Sequence, residues 1–499
     1  MASIQPEVQE SRSATVETLS QSSEGQLKTK FQRQKQAFRA AAPRSYRERV
    51  DALNALLEGV IRYQEDFVEA LNQDYGNRAA QETRLLEIFP VVDEIRHTRR
   101  HLRKWMKPRR VASNWQFSPS KARVIYQPLG VVGIIGAWNY QILLTLSPLV
   151  NALAAGNHAM IKPSEMAPAT AELIKKMIAD VFDEDYVTVI TGGPEVSAEF
   201  SALPFDHLIF TGSSRIGKLI MRAASENLTP VTLELGGKSP ALVHPSYSHA
   251  KAADRICSGK FWNAGQTCVA PDYALVQQQH LDEFIRESQA VVASRYKSLT
   301  TNADYTRVIN TRAYERFESL LQDAREKGAK IVTINPGNDV CNVENRVFPP
   351  TLVTNVTPDM QIMQEEIFGP ILLVVPYKTI NEAIEYINDR PRPLALYYFD
   401  HDKGRINKVL NETTSGGVTV NDTIFHLPQN NLPFGGVGPS GMGAYHGVDG
   451  FETFSKKKGV FLQSRLVGWF LSLALKPPYT RFSDAFIKLL IFRRSKSVD

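Results

Sequence analysis

Val131-Val132-Gly133-Ile134-Ile135, then a helical stretch from Pro148 to Ala155 ended by Gly156-Asn157, then Ala159-Met160-Ile161-Lys162 read in order as strand, helix and strand. Two apolar runs too short for helices, joined by a segment with helical spacing, specify parallel strands linked by a crossover. Outward from this unit the alternation continues: helix Ala171 to Phe182, strand Tyr186 to Ile190, strand His207 to Phe210, helix Ile216 to Ala224. This is the pattern of a doubly wound, nucleotide-binding α/β sheet. After Glu234 a second α/β stretch has helices near Ala252 to Trp262, Leu281 to Arg295 and Tyr314 to Lys327, and strands near Lys330 to Thr333 and Ile371 to Pro376. Before it, residues 28 to 107 are helical, as in Arg49-Val50-Asp51-Ala52-Leu53-Asn54-Ala55-Leu56-Leu57, with apolar residues every three to four positions.

The chain has 499 residues, 43% of them hydrophobic and 22% charged, enough for a large core and two or three domains. Gly and Pro usage excludes collagen-like and low-complexity chains, and no apolar run nears the roughly 18 residues of a membrane span. Three cysteines, Cys257, Cys268 and Cys341, make no disulfide framework and fit a reducing compartment. The net charge of +6 belongs to the C-terminus: residues 455 to 499 hold ten Lys/Arg and two Asp/Glu. The first 25 residues lack the hydrophobic region of a secretory signal and read as a disordered arm on a cytoplasmic protein. Eight Lys/Arg between Arg96 and Arg110, around Trp105, read as a solvated helix face rather than a nucleic-acid site. No metal is expected.

Cys268, in Asn263-Ala264-Gly265-Gln266-Thr267-Cys268-Val269, follows a helix amid small and polar residues; it is either an accessible nucleophile or a structural thiol. Cys257 reads as packing. Glu234, in Val231-Thr232-Leu233-Glu234-Leu235-Gly236-Gly237-Lys238, is a carboxylate in an apolar strand, either a general base with a raised pKa or a strand-end group bonded to the glycine turn. Thr211-Gly212-Ser213-Ser214-Arg215-Ile216-Gly217 leaves a strand and opens a helix, where backbone N–H groups can face an anion, although it is not the three-glycine fingerprint. Lys162-Pro163-Ser164-Glu165 ends a strand where a dinucleotide fold meets the adenosine ribose; the alternative is an ordinary helix start.

Four of these signals in order, Trp138-Asn139-Tyr140, Lys162-Pro163-Ser164-Glu165, Leu233-Glu234-Leu235-Gly236-Gly237-Lys238 and Gly265-Gln266-Thr267-Cys268, resemble the aldehyde dehydrogenase superfamily. Glu365-Glu366-Ile367-Phe368-Gly369-Pro370 and Leu432-Pro433-Phe434-Gly435-Gly436-Val437-Gly438-Pro439-Ser440-Gly441 extend the resemblance, which covers about residues 28 to 465. Gly443-Ala444-Tyr445-His446-Gly447, Phe451-Glu452-Thr453-Phe454-Ser455 and the short N-terminal part are similar to the class 3 branch. Arg100-His101-Leu102, Trp105-Met106, Pro108-Arg109-Arg110, Tyr126-Gln127-Pro128-Leu129-Gly130 and Lys476-Pro477-Pro478-Tyr479 favour its coniferyl aldehyde dehydrogenases over the fatty aldehyde enzymes.

The resemblance implies a Rossmann-type cofactor domain (26–112 and 127–234), an α/β catalytic domain (235–420), a small β bridging arm for oligomerisation (113–126 and 421–462) and a helical tail (463–499). It implies Cys268 as nucleophile, Asn139 with the Cys268 backbone N–H as oxyanion hole, and Glu234 as the base that activates water. It implies NAD held by Lys162 and Glu165 at the adenosine ribose, Gly212, Ser213 and Gly217 near the pyrophosphate, and Glu366 and Phe368 at the nicotinamide side. Glu165 disfavours a 2′-phosphate by like charge and Lys162 pulls the other way, so NAD comes first and NADP stays open. Tyr140 and Ile424-Phe425-His426 would line an apolar tunnel for an aromatic or aliphatic aldehyde, with His426 available to a phenol hydroxyl. A homodimer is expected. The tail, apolar from Leu466 to Leu475, either covers a neighbouring subunit or lies on a membrane surface.

Overall fold

The computed structural model describes residues 25–492, and within them two parallel sheets and a small antiparallel one. The expected arm at 1–25 therefore lies outside the described residues except for Gly25, which opens a helix over 25–40. The first sheet holds five parallel strands in the order Val231–Glu234, His207–Thr211, Val131–Ile135, His158–Lys162, Val187–Val189, with Gly441–Met442 added antiparallel at its edge. Numbered along the chain these five run 5-4-1-2-3, the doubly wound order, and direction reverses at Val131–Ile135. Asn139, four residues beyond that central strand, thus sits at the switch point, where such sheets bind ligands.

Each central strand is buried along its whole length, because helices cover both faces. Leu53, Leu56 and Val60 of the helix Tyr46–Arg62 enter the same core as Ile174, Met177 and Ile178 of Pro168–Val181. Most of the basic residues from Arg96 to Arg110 are exposed, while Val91, Val92, Ile95 and Leu102 of that helix are buried.

The helix expected from Pro148 begins seven residues earlier, at Gln141, and Pro148 lies inside it. All fifteen residues are buried. With no polar face there is no 3.6-residue alternation to mark its start, and its end is capped from another segment: Glu87 Oε2 accepts the Ile142 N–H at 2.8 Å.

The second sheet has seven strands, in the order Lys330–Thr333, Thr351–Thr354, Ile371–Tyr377, Pro271–Gln277, Ser239–Val243, Ala395–Phe399, Gly417–Val420, all parallel except the first. The third pairs Arg109–Val111, Lys121–Pro128 and Ser455–Leu462. The residues expected in the arm lie in several places. Of 421–462 only Ser455–Leu462 enters that small sheet; Gly441–Met442 joins the first sheet, and Ile424 and Phe425 line an apolar cavity. Its partner strand also runs past 126, to Pro128. Antiparallel registry follows backbone hydrogen bonding rather than chain continuity, so one contiguous stretch supplied three places.

Candidate active site

Cys268 is delivered by the helix His249–Phe261 and the short turn Trp262–Gly265, in which Asn263 (φ 52°), Ala264 (φ 51°) and Gly265 (φ +72°) are left-handed in succession. The reversal brings the thiol back toward the ends of the first sheet. At Gly265 a Cβ would lie 2.2 Å from the Gly369 carbonyl oxygen, so this glycine lets the cysteine turn press on the Glu365–Pro370 segment. Gln266 braces the turn: its Nε2 donates to the carbonyls of Asn263 (2.9 Å) and Arg307 (3.1 Å), and its Oε1 accepts from Ile309 N–H (2.9 Å).

The Asn139 side chain is brought to the same turn, its Nδ2 donating to the Gln266 carbonyl at 3.1 Å. One of its two N–H groups remains for a ligand. The backbone N–H groups of Cys268 and Val269 face the thiol. Burial pushes the Cys268 thiol up to about 12, with the Glu366 and Glu234 carboxylates adding to the shift. Glu234 ends its strand buried, neither carboxylate oxygen has a hydrogen-bond partner, and burial holds its pKa well above the usual carboxylate range. Of the two readings open for Glu234, its geometry is that of an unpaired acid, not of a group bonded to the glycine turn. Cys257 is buried in the core.

A layer behind Asn139 carries no motif. The Asn139 backbone carbonyl accepts from Tyr75 OH (3.1 Å), Arg78 Nη1 (3.0 Å) and Asn263 Nδ2 (3.1 Å). Arg78 also pairs with Glu87 at 2.8 Å, both side chains fully buried. Glu82 accepts from Asn263 N–H and Thr306 Oγ1, each at 2.9 Å, and burial pushes it up to about 7. Sequence reading missed all four of these residues. Their only trace is three charged residues and a tyrosine in and between the N-terminal helices, where charge usually faces the surface.

The residues expected on the cofactor side lie at or just beyond strand ends, or in the loop before a strand. Lys162 is buried and its Nζ reaches Glu165 Oε2 at 2.8 Å. Glu165 borders a cleft of about 370 Å³ with Pro163, Ser164, Thr191, Gly192 and Gly193. Ser213 caps the helix Ser214–Ser225, and Gly212 precedes it, half-buried. Gly217 is buried against Leu235, where a Cβ would come within 2.8 Å, so it serves helix–strand packing rather than the open edge. Glu366 is half-buried and pushed up to about 8 by burial and by Asp272. Lys238 fastens this region: its Nζ reaches Asp272 Oδ1 (3.2 Å) and the carbonyls of Ile362 (2.8 Å) and Glu365 (3.0 Å). Phe368, left-handed at φ 53°, stands edge-on to Trp138 at 5.5 Å between ring centroids. The late loop closes both sides, with Pro439 O accepting from Ser214 Oγ (3.1 Å) and Ser440 O from Leu235 N–H (3.1 Å). A helix N-terminus, a lysine–glutamate pair at a cleft and the unpartnered buried Thr211 hydroxyl fit an NAD(P) dinucleotide.

On the other side of Cys268 is an apolar cavity of about 120 Å³. Tyr140, Thr267 and Val269 line its inner end beside the thiol, and Leu85, Phe89 and Phe425 are half-exposed. Tyr140 OH and Thr267 Oγ1 bond to each other at 2.7 Å. Ile424 and Phe425 line it as expected, but His426 does not: its Nδ1 is bonded to Thr419 Oγ1 at 2.9 Å and its ring packs near Tyr397 and Phe434.

Residues 2–460 match the family model described as "Aldehyde dehydrogenase family". The chain is 49% identical over 474 residues to a probable coniferyl aldehyde dehydrogenase of Pseudomonas aeruginosa, covering 95% of this chain and 98% of that one. It is 44% identical to the coniferyl aldehyde dehydrogenase of Pseudomonas sp. strain HR199, covering 93% and 96%. The solved structure of Staphylococcus aureus AldH in a substrate-bound state superposes with a TM-score of 0.87 at 40% identity, covering 93% of this chain and 99% of that one. The chain belongs to the aldehyde dehydrogenase family and is an NAD(P)-dependent oxidoreductase that takes aldehydes to carboxylic acids.

Proposed function

We propose that Cys268, Asn139 and Glu234 carry the reaction and that its substrate is an aromatic, coniferyl-type aldehyde. The observation that carries the reading is a thiol with two backbone N–H groups, on a turn whose Gln266 carbonyl holds the Asn139 amide, and under the influence of an unpaired buried carboxylate. Cys268 Sγ, once deprotonated, bonds to the aldehyde carbon, and the carbonyl oxygen becomes an oxyanion. The free N–H of Asn139 and the Cys268 backbone N–H hold that oxyanion, and each such donor is worth about 2.7–4 kcal/mol. NAD(P), when bound, supplies the acceptor for the hydride that leaves this carbon. The acyl group remains on Cys268 as a thioester. Glu234 then takes a proton from water, the hydroxide equivalent adds to the thioester, and the C–S bond breaks to release the acid and restore the thiol.

Lys162 and Glu165 hold the adenosine ribose, Gly212 and Ser213 lie toward the pyrophosphate, and Glu366 and Phe368 order the nicotinamide end. NAD is the preferred cofactor, because the Glu165 carboxylate occupies Lys162 and repels a 2′-phosphate. A planar propenal chain suits the narrow apolar cavity, and the half-exposed mouth leaves the phenol end in water. The protein works in the cytoplasm as a homodimer, with the small antiparallel sheet bridging subunits and the tail covering the neighbour rather than a membrane. Among the described residues no helix is long and apolar enough to cross a membrane.

The test is cofactor reduction with NAD and NADP on coniferyl aldehyde and on decanal, with Cys268→Ala as blank. Higher kcat/KM for coniferyl aldehyde, lost in the variant, is expected. Preference for decanal overturns the substrate reading, and turnover that survives Cys268→Ala overturns the mechanism.

A further inference from the structure

Away from the reacting cysteine, the chain brings two histidines and a glutamate to one point. His249 opens the helix His249–Phe261, His280 closes the turn Gln278–His280 after the strand Pro271–Gln277, and Glu283 lies in the first turn of the helix Leu281–Arg295. His249 Nδ1 is 3.5 Å and His280 Nδ1 3.2 Å from the same oxygen, Glu283 Oε2. The imidazole rings are stacked, 4.4 Å between centroids and 19° apart in plane. His249 is 95% buried, whereas the His280 and Glu283 side chains are 33% and 44% exposed, which leaves the cluster open to water on one side.

We propose that His249, His280 and Glu283 form a binding site for a divalent first-row transition ion of the zinc class, with water as the fourth ligand. Metal–nitrogen and metal–oxygen bonds of about 2.0–2.1 Å at tetrahedral angles put neighbouring donors about 3.3 Å apart. The two nitrogen–oxygen separations bracket that edge, and all three ligand atoms lie within 4.8 Å of one another. Two imidazoles and one carboxylate suit Zn²⁺, Co²⁺ or Ni²⁺; Mg²⁺ and Ca²⁺ take oxygen ligands. The three residues come from two helices and the turn that precedes the second, so a bound ion staples these elements together in the half that carries Cys268. The site lies at the far end of a thirteen-residue helix from the cysteine turn, a span of about 20 Å, so the role is structural. No metal was expected from the sequence, in which His249 and His280 lie 31 positions apart.

The experiment uses untagged full-length enzyme stripped with a chelator and titrated with Co²⁺ alone, followed by visible absorption, with thermal melting in Zn²⁺ alongside. One equivalent of Co²⁺ is expected, with the absorption of a four-coordinate ion and no thiolate-to-metal charge-transfer band. His280→Ala and Glu283→Gln are expected to keep the metal-free Tm, both being surface positions, but to lose the Co²⁺ signal and the Zn²⁺-dependent rise in Tm. Absence of binding, binding unchanged in both variants, or a charge-transfer band placing the ion on a cysteine each overturns the proposal.

Discussion

Glu234 keeps two buried oxygens without partners, an arrangement a folded chain tolerates only where the group is held protonated or used. Because burial raises its pKa, Glu234 is a weak base below that value and a competent one above it, so kcat is expected to climb with pH as the carboxyl ionises. Glu234→Gln removes the base but not the thiol. Steady turnover should then fall by about 10²–10⁴-fold while rapid mixing still records a single burst of reduced cofactor. An absent burst would mean that Glu234 acts before the thioester forms. Glu165 offers a second test. Replacing it with Gln frees Lys162 from its 2.8 Å partner and removes the like charge, so the NADP/NAD ratio of kcat/KM is expected to rise about tenfold or more. Asn139, Glu234 and Cys268 were expected at the site through the resemblance their motifs carry, since the residues alone left Cys268 and Glu234 open between a catalytic and a structural reading. Tyr75, Arg78 and Glu82 were not, since their part depends on the Asn139 carbonyl and on Asn263 rather than on their own neighbours.

The N-terminal helices act as the platform behind that amide. Arg78→Met leaves Glu87 buried without its counter-charge and takes a donor from the Asn139 carbonyl. Loss of one partner of a buried pair costs about 3–5 kcal/mol, and denaturant melts should show it. In the helix Phe89–Trp105, Glu94 is bound by Ser147 and by Asn151 Nδ2 (2.7 Å), yet burial raises its pKa from 4.5 to about 7. The stability associated with a raised carboxyl is fully present below pH 4.5 and is lost as pH rises to about 7. Glu94→Gln should therefore gain in Tm relative to wild type between pH 5 and pH 8; an unchanged difference would place Glu94's charge elsewhere. Between Gly236 and Glu366 the packing is close enough that a Cβ would fall 1.9 Å from Oε2. Gly236→Ala should displace that carboxylate and raise the KM for cofactor more than that for aldehyde. At this scale the strands Val131–Ile135 and Lys330–Thr333 and the helix Leu281–Arg295 stood at their expected bounds, while Gln141–Ala155, buried all round, concealed its own beginning.

Over the whole molecule, the helices Arg465–Leu475 and Arg481–Phe492 pack mainly on each other, through Phe470 against Phe482 and Phe486. They leave Leu466, Trp469, Ile491 and Phe492 largely exposed, a surface that calls for cover. Removal of residues 465–499 is expected to hold Tm within about 2 °C, since among the described residues none of the main cores draws on 465–492. Light scattering before and after truncation, with sedimentation on anionic vesicles, separates a tail seated on a second subunit from one seated on lipid. The alternation of apolar strands and helical segments determined the parallel sheets, and six ordered motifs, through their resemblance to the aldehyde dehydrogenases, determined the family and its reaction, because both are written in residues adjacent along the chain. Only the tertiary structure decided that Lys238 would fasten the Glu365 segment 127 residues away, that Arg78 would hold Asn139 across 61, and that one stretch, 421–462, would divide among a cavity and two sheets. Such contacts are closed by the packing of whole elements, and they leave no period or spacing in either of the segments that meet.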